Sequence, residues 1–446
     1  MNSVRRESDR AWLRPLRIGR SLRATDGTLV SRMESHWRSE PRSLRQARGL
    51  SHRGFRESAD SHGREVAGSG LRVVHMTTVH DAWDHRIFAK ECRTLTRAGY
   101  RVTLVVPASS NSLLDGVRIN AVPFPVNRIE RMTRTLRHVY RAAVREDADL
   151  YHFHDPELIV VGLLLKLRRK RVVYDVHEDM VMTIRRKGWL RGPFLLLRPA
   201  IAVTVGIIER FAVHVLDAAV LVIPMPHRKF PPSKCVLVRN FPELGAAFEP
   251  VVPYQKRAHL LAYVGGIAVG RGAADMVTAM ALVRPELQAR LLVAGWFQPS
   301  DLEIELRALS GVEHVDFVGT QSRDEVAALL GRARIGLCVL HPDPGYPDSY
   351  PVKLFEYMLA GLPVIASNFP AWAEIVEGAN CGILIEPQDP AALASAVTLL
   401  LENPGLAESM GMRGRDAIVH QYNWGSESRQ LLSLYRHLIP GLPGSR

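Results

Sequence analysis

From Leu71 onward the chain alternates short, nearly unbroken apolar runs with polar loops and apolar patterns of helical period. "LRVVHM" leads through "TTVHDAWDHR" into the helical stretch "IFAKECRTLTRAGY", which stops at Gly99, and "RVTLVVP" is the next run. The unit repeats as "LYHFH", the helical "ELIVVGLLLKLRRK" and "VVYDVH". "PAIAVTVGIIERFAVHV" followed by "AAVLVI" reads as a buried helix and a strand, with Glu209, Arg210, His214 and Asp217 breaking up its apolar length. Runs that are apolar at every position fit strands covered on both faces, and their alternation with helices makes the sheet parallel.

The stretch "RNFPELGAAFEPVVPYQKR" at 239–257, rich in proline and small residues, reads as a linker. A second series follows, with strands "HLLAYVGG", "ARLLVAGW", "VDFVGT", "IGLCVL", "PVIAS" and "GILIEP". Helices are expected from Gly272, from about Ser300, and over "SRDEVAALLGRA", "PVKLFEYMLAG" and "PAWAEIVEG". Asp389 with Pro390 is an N-cap and first helical position. "SESRQLLSLYRHLI" is the last amphipathic segment. The expected organisation is an extension over 1–70, a Rossmann-like domain over 71–238, the linker, a second Rossmann-like domain over 258–425, and a C-terminal helix and tail over 426–446 that packs back on the first domain. The fold class is α/β: two doubly wound domains whose strand C-terminal ends face a central cleft, where such sheets bind ligands.

Charge changes the picture of the first half. Residues 1–70 carry +7, residues 71–250 carry +11 and residues 251–446 carry −5. The first segment has fifteen arginines and no lysine, no apolar periodicity and no apolar core of a secretory signal. It reads as a disordered extension or as translated upstream sequence. Elsewhere Arg131, Arg134, Arg137, Arg141 and Arg145 recur at spacings of one helical face, and "RRKGWLRGPFLLLR" (185–198) mixes arginine with Trp, Phe and Leu. Such segments suit an anionic membrane interface or, equally, a solvated face and a core helix. Nucleic acid is the disfavoured anionic partner, and none is assigned. Four scattered cysteines without C-x-x-C spacing argue against zinc or a disulfide framework and fit a reducing, cytoplasmic compartment; a peripheral place on the inner face of a membrane is the expectation that the basic first half adds.

Several loops carry candidate chemistry. "YVGGIAVGRG" (263–272) lets backbone approach a phosphate at a helix start, with Arg271 as a cation beside it; a tight structural turn is the plainer reading. The spacing is not that of a dinucleotide fingerprint. In "DSYPVKLFEYMLAG" (348–361), Asp348 reads as a cap and Glu356 as a surface acid, unless both border a cleft and accept sugar hydroxyls. In "LYHFHDPEL" His152 and His154 share one strand face, and Asp155 with Pro156 reads as a helix start. Two histidines alone do not make a metal site, so no metal is assigned. "VHDAWDHR" and "YDVHED" place Asp84, Arg86, His177 and Glu178 at the same cleft as acceptor contacts.

Taken together, "HDAWDHRIFAKECRTLTRAGYRVTLV", "DLYHFHDPEL", "VVYDVHED", "LVRNFPE", "LAYVGG", "VDFVGT" and "YPVKLFEYMLAGLPVIAS" resemble the retaining glycosyltransferases of family four, with the GT-B fold, over about residues 71–438. The resemblance implies an E-x7-E motif in which Glu356 binds the ribose of a nucleotide sugar and Asp348 stands in place of the first Glu, on the transferred sugar. It implies that Arg271 binds the diphosphate where the family has Lys, that Gly266 replaces an Arg, and that Lys353 compensates. Gly265, Ser349 and Thr320 complete the donor-binding set, and His154 matches a histidine near donor sugar and acceptor. The implied activity is metal-independent retaining transfer, with no cofactor beyond the nucleoside-diphosphate sugar. The implied acceptor is a saccharide or a polyprenyl-linked molecule of cell-surface polysaccharide or glycolipid synthesis. A nucleotide-sugar epimerase of the same fold and a catalytically weakened binding protein are the competing readings; the glycine spacing disfavours a dinucleotide oxidoreductase.

Overall fold

The computed structural model describes residues 70–186, 197–224, 229–244, 252–343 and 345–440. The expectations for the arginine-rich segment before it, for the core of the 185–198 stretch and for the last six residues lie outside these described residues.

The apolar runs assemble into two sheets. The first comprises β1 (Arg72–Met76), β2 (Arg101–Pro107), β3 (Ser112–Leu114), β4 (Val117–Val122), β5 (Leu150–Phe153), β6 (Arg171–Val176), β7 (Ala218–Leu221) and β8 (Cys235–Leu237). Their order is β3-β4-β2-β1-β5-β6-β7-β8, parallel except for the β3–β4 hairpin. Asp115 and Gly116 join that hairpin with φ of 46° and 79°, the positive values that a tight two-residue turn requires. The second sheet comprises β9 (Leu260–Val264), β10 (Arg290–Ala294), β11 (Val315–Gly319), β12 (Ile335–Cys338), β13 (Val364–Ser367) and β14 (Gly382–Ile385), all parallel, in the order β11-β10-β9-β12-β13-β14. Strand order reverses between β1 and β5 and between β9 and β12. The loops leaving those strands diverge there, opening the crevice in which doubly wound sheets bind ligands.

Helices differ from expectation where local chemistry competes with apolar period. The first begins at His85, because Asp84 Oδ1 accepts from the Arg86 and Ile87 amides; it is π-wound over His85–Cys92 and α-helical over Arg93–Arg97. The helix Pro404–His420 has no clear apolar stripe in the sequence. It packs through small residues: a side chain at Gly411 would collide with the Gly361 carbonyl, and Gly414 lies against Met358 and Cys381. The helix Arg198–Val215, expected to be buried, buries Ala202, Glu209, Ala212 and Val213 and exposes Ile207 (64%) and Phe211 (60%). A helix that is apolar all round hides in its sequence which face is covered.

The chain crosses between the sheets twice. In the linker, Phe241 packs on Phe355 (ring centroids 4.6 Å) and Tyr422 (5.5 Å) beside the second sheet. The helix Trp424–Leu438 returns to the first: the Trp424 indole donates to Thr94 Oγ1 (2.9 Å), Glu427 pairs with Arg239 (2.8 Å), and Leu431 and Tyr435 enter the core around Val73, Leu104 and Ile119.

One glycine links this architecture to the cleft. Gly295, just past β10, has φ of 155°, and a Cβ there would run into the carbonyl oxygen of Gly265. Gly295→Ala is expected to lower stability by about 1–3 kcal/mol, through strain and displacement of the 265–266 turn. Chemical denaturation measures this; an unchanged midpoint would show that the turn yields freely.

Candidate active site

The C-terminal half of the cleft is built on the turn after β9. Tyr263 donates from its hydroxyl to Gly266 O (2.7 Å), and Gly265, at φ 123°, donates its amide to Ala294 O (2.8 Å). The turn is thereby fixed from both sides. Arg271, two residues before the helix Ala273–Leu282, reaches back with Nη1 3.4 Å from Gly266 O. A Cβ at 266 would stand 3.1 Å from that same Nη1 and 3.5 Å from the Trp296 ring. Gly266 therefore makes room for the Arg271 guanidinium, and a cation reaches this place from position 271 rather than 266.

Lys353 approaches from the opposite side, in the first turn of the helix Val352–Leu359. Its Nζ is buried with no hydrogen-bond partner and lies 3.6 Å from the centroid of the Tyr263 ring. A Cβ on Gly265 would be 3.4 Å from this Nζ and 3.7 Å from Arg271 Nη1. Two cations thus face one glycine turn. Burial lowers the Lys353 amine to about 7, with Arg271 adding to the effect. An unpaired buried cation is costly without an anion to receive it.

Glu356 sits one turn further along the same helix. Burial raises its carboxyl above the usual range, while Arg323, Lys90 and Lys353 pull the other way. Lys90 and Arg323 were not singled out from the sequence, and they bring the two halves of the cleft together. Lys90, on the first helix, is fully buried, donates to Asn240 Oδ1 (2.7 Å), and is lowered to about 7 by burial and by Arg86. Arg323 meets His85 Nε2 at 2.8 Å. Nothing in a lone Lys in "FAKEC" reveals such a role; the linker has to fold first.

Asp348 is exposed and lies three residues before Pro351, which is the true N-cap, so capping does not explain it. Ser349 is turned inward: its amide and hydroxyl both donate to Tyr346 O (3.1 and 2.9 Å), and its carbonyl accepts from the Trp372 indole (2.7 Å). Its amide is therefore not free for a ligand. Thr320 lies exposed beyond β11, at the sheet edge two strands from β9.

In the N-terminal half the expected residues separate into surface and interior. Asp84 accepts from His80 Nδ1 (2.8 Å) besides capping its helix, and is held well below the carboxylate range despite burial. His80 and His177 are partly exposed, with ring centroids 5.3 Å apart. Glu178 is exposed beside them. Arg86, expected at the acceptor, is buried instead: it pairs with Asp175 (3.0 Å) and Glu91 (3.0 Å) and donates to Val238 O (3.1 Å). His154 is buried as well. Its Nε2 meets His75 Nδ1 (2.9 Å) and its Nδ1 meets His177 Nε2 (3.3 Å) and Asp175 (3.3 Å), so both nitrogens face protein. Asp155 does not cap with its side chain; Oδ2 accepts from Thr77 Oγ1 (2.8 Å) and the Thr78 amide (2.6 Å), tying the β1 and β5 loops together at the switch point. The sequence shows only two histidines here; folding adds His75, Glu91, Asp175 and His177 around them.

Two doubly wound sheets, a crossing C-terminal helix and a two-cation cradle at the second sheet's switch point define a class, the GT-B glycosyltransferases. The profile described as "Glycosyl transferases group 1" matches residues 258–403, and that described as "Glycosyltransferase Family 4" matches residues 85–204. Phosphatidyl-myo-inositol mannosyltransferase of Mycobacterium leprae is 25% identical over 349 residues, covering 76% of this chain and 88% of its own. Glycogen synthase of Mycobacterium tuberculosis is 25% identical over 403 residues, covering 83% and 91%. Sucrose-phosphate synthase of Thermosynechococcus elongatus superposes with a TM-score of 0.66 at 19% identity, over 82% of this chain and 99% of that one. The chain belongs to the family 4, or group 1, glycosyltransferases, and is an enzyme that transfers a sugar from a nucleotide sugar.

Proposed function

We propose that this chain transfers a hexose, with retention, from a nucleoside-diphosphate sugar to a saccharide or polyprenyl-linked acceptor at a membrane surface. The observation that carries the reading is the convergence of Gly265, Gly266, Arg271, Lys353 and Glu356 at one switch point. The diphosphate lies on the glycine turn between Arg271 and Lys353, and Glu356 accepts from the ribose hydroxyls. Two fixed cations supply the neutralisation that a metal ion gives elsewhere. As the C1–O bond to the diphosphate breaks, the acceptor oxygen bonds to C1 on the same face, and its proton passes to the departing phosphate oxygen. Asp348, exposed at the cleft loop, contacts the transferred sugar; as the shorter acid it selects a hexose hydroxyl nearer the loop. His80 and His177 are the imidazoles available to the acceptor, and His154 shapes the floor beneath them.

The acceptor side is supported by a surface. Val203, Ile207, Ile208 and Phe211 stand exposed next to Val160, Leu164 and Leu167 of the helix Ile159–Leu167. Arg134, Arg137, Arg141 and Arg145 are exposed on the adjoining helix Leu136–Glu146 and the turn before it. An apolar strip beside a cationic one suits an anionic bilayer. No helix among the described residues is long and apolar enough to cross one.

The test is donor turnover. Purified protein is given a panel of nucleotide sugars, with and without vesicles carrying a polyprenyl-phosphate acceptor, and released nucleoside diphosphate is measured. Release that increases with vesicles supports the proposal. Sugar interconversion without free diphosphate identifies an epimerase; tight donor binding with no release identifies a binding protein. Ile207→Ser with Phe211→Ser is expected to weaken co-sedimentation with anionic vesicles by roughly tenfold or more, leaving turnover on a water-soluble acceptor unchanged.

A further inference from the structure

Beneath the first sheet's switch point lies a cluster that the donor site does not use. β1 and β5 pair in parallel with His75 opposite His152, which sets His75, His152 and His154 side by side. Glu91 rises toward them from the first helix. All four are buried, at 0–2% exposure. One potential ligand atom from each lies within 4.8 Å of the others.

Two observations set this cluster apart from an ordinary buried hydrogen-bond network. First, polar atoms are left over. Neither oxygen of the Glu91 carboxyl has a hydrogen-bond partner, although the Arg86 guanidinium lies 3.0 Å from Oε1, and His152 Nε2 is equally without one. Glu91 Oε2 instead faces His75 Nδ1 at 3.9 Å, His152 Nδ1 at 3.9 Å and His154 Nε2 at 4.0 Å. The separations to His75 Nδ1 and His154 Nε2 are too long for hydrogen bonds and of the order found between two ligands of one ion, while that to His152 is to the nitrogen that Tyr435 holds. Second, the remaining ring nitrogens are held as those of metal-bound histidines are. His75 Nε2 and His152 Nδ1 both meet the Tyr435 hydroxyl, at 3.1 and 2.8 Å, and His154 Nδ1 meets Asp175 at 3.3 Å. With those positions taken, His152 Nε2 and Glu91 Oε2 are left without a hydrogen-bond partner, and His75 Nδ1 and His154 Nε2 are bonded to each other at 2.9 Å.

We propose that His75, His152, His154 and Glu91 bind a first-row divalent transition ion, with zinc the occupant that three imidazoles and one carboxylate favour. Ligands of a tetrahedral ion lie about 3.3–3.5 Å apart, so the carboxylate moves in and the His75–His154 pair opens, each by a few tenths of an ångström. Four protein ligands leave no open position, so the ion is structural. Its outer partner Tyr435 belongs to the returning helix Trp424–Leu438, so the ion fastens that helix to the first sheet. The inference stands apart from the donor site.

The experiment uses the untagged full chain, purified without chelators. Metal content is measured by plasma mass spectrometry, and melting temperature is followed after chelator dialysis and zinc re-addition, for wild type, Glu91→Gln and His152→Ala. Expected are about one equivalent of zinc per wild-type chain, a melting temperature that falls by several degrees on chelation and returns with zinc, and less than about a tenth of an equivalent in either variant. Equal content in wild type and variants means an adventitious ion only and overturns the proposal. So does a wild-type protein without metal whose melting ignores zinc. If the variants do not fold, titration of the metal-free wild type with cobalt decides: saturation at one equivalent with an intense tetrahedral visible band supports the site, and its absence overturns it.

Discussion

Glu356→Ala is expected to abolish most donor turnover, lowering kcat/KM by roughly 10²–10⁴-fold, with a corresponding loss of nucleoside-diphosphate affinity. A carboxylate accepting from two ribose hydroxyls makes two charge-assisted hydrogen bonds, each worth about 1.5–3 kcal/mol when the alternative is an unpaired group. Burial raises the Glu356 carboxyl above its ordinary value. The carboxylate is therefore lost at a higher pH than a free glutamate would lose it, and affinity should fall early on acidification. Isothermal titration with a nucleoside diphosphate between pH 5 and 8 measures this. Glu356 also stands in the field of Lys90 and Arg323 from opposite halves of the cleft. A purely structural Glu356 would give the opposite result: a lowered melting temperature in Glu356→Ala with diphosphate affinity intact.

Much of this arrangement was legible because strands and turns are local. The run "HLLAYVGG" states a strand and a positive-φ turn in eight residues, and "DSYPVKLFEYMLAG" states a loop, a proline and a helix start. What the pattern could not show is what lies on the far side of a loop. The β3–β4 hairpin is too short and too exposed to leave an apolar run. Arg86 and His154 occupy loop and strand-end positions that suggest a cleft. Yet Asp175 and Glu91, distant in sequence, draw the guanidinium inward, and His75 takes His154 Nε2. Such choices depend on charges that meet only after folding. Lys90 shows the same limit from the other side, since its neighbours Asn240 and Trp424 lie 150 residues or more away.

Arg271→Ala is the second variant with a large expected effect, lowering kcat by roughly 10²–10³-fold, because the charge it meets grows as the diphosphate departs. Arg271→Lys should recover part of this, as a point charge without the planar fork. Lys353 divides the task differently. Its amine is lowered to about 7, so near neutrality it is only partly protonated before the donor arrives. A diphosphate binds the ammonium form, so binding near and above pH 7 should take up a proton. Affinity should fall as pH rises through 7, and Lys353→Met should flatten that dependence, while Arg271→Ala should keep it but move it to higher pH, since Arg271 helps to lower the Lys353 amine. Titration calorimetry in buffers of different ionisation enthalpy reads the proton directly. A wild type that takes up none at pH 7.5 would mean that Lys353 does not face the diphosphate, and that Arg271 alone meets its charge.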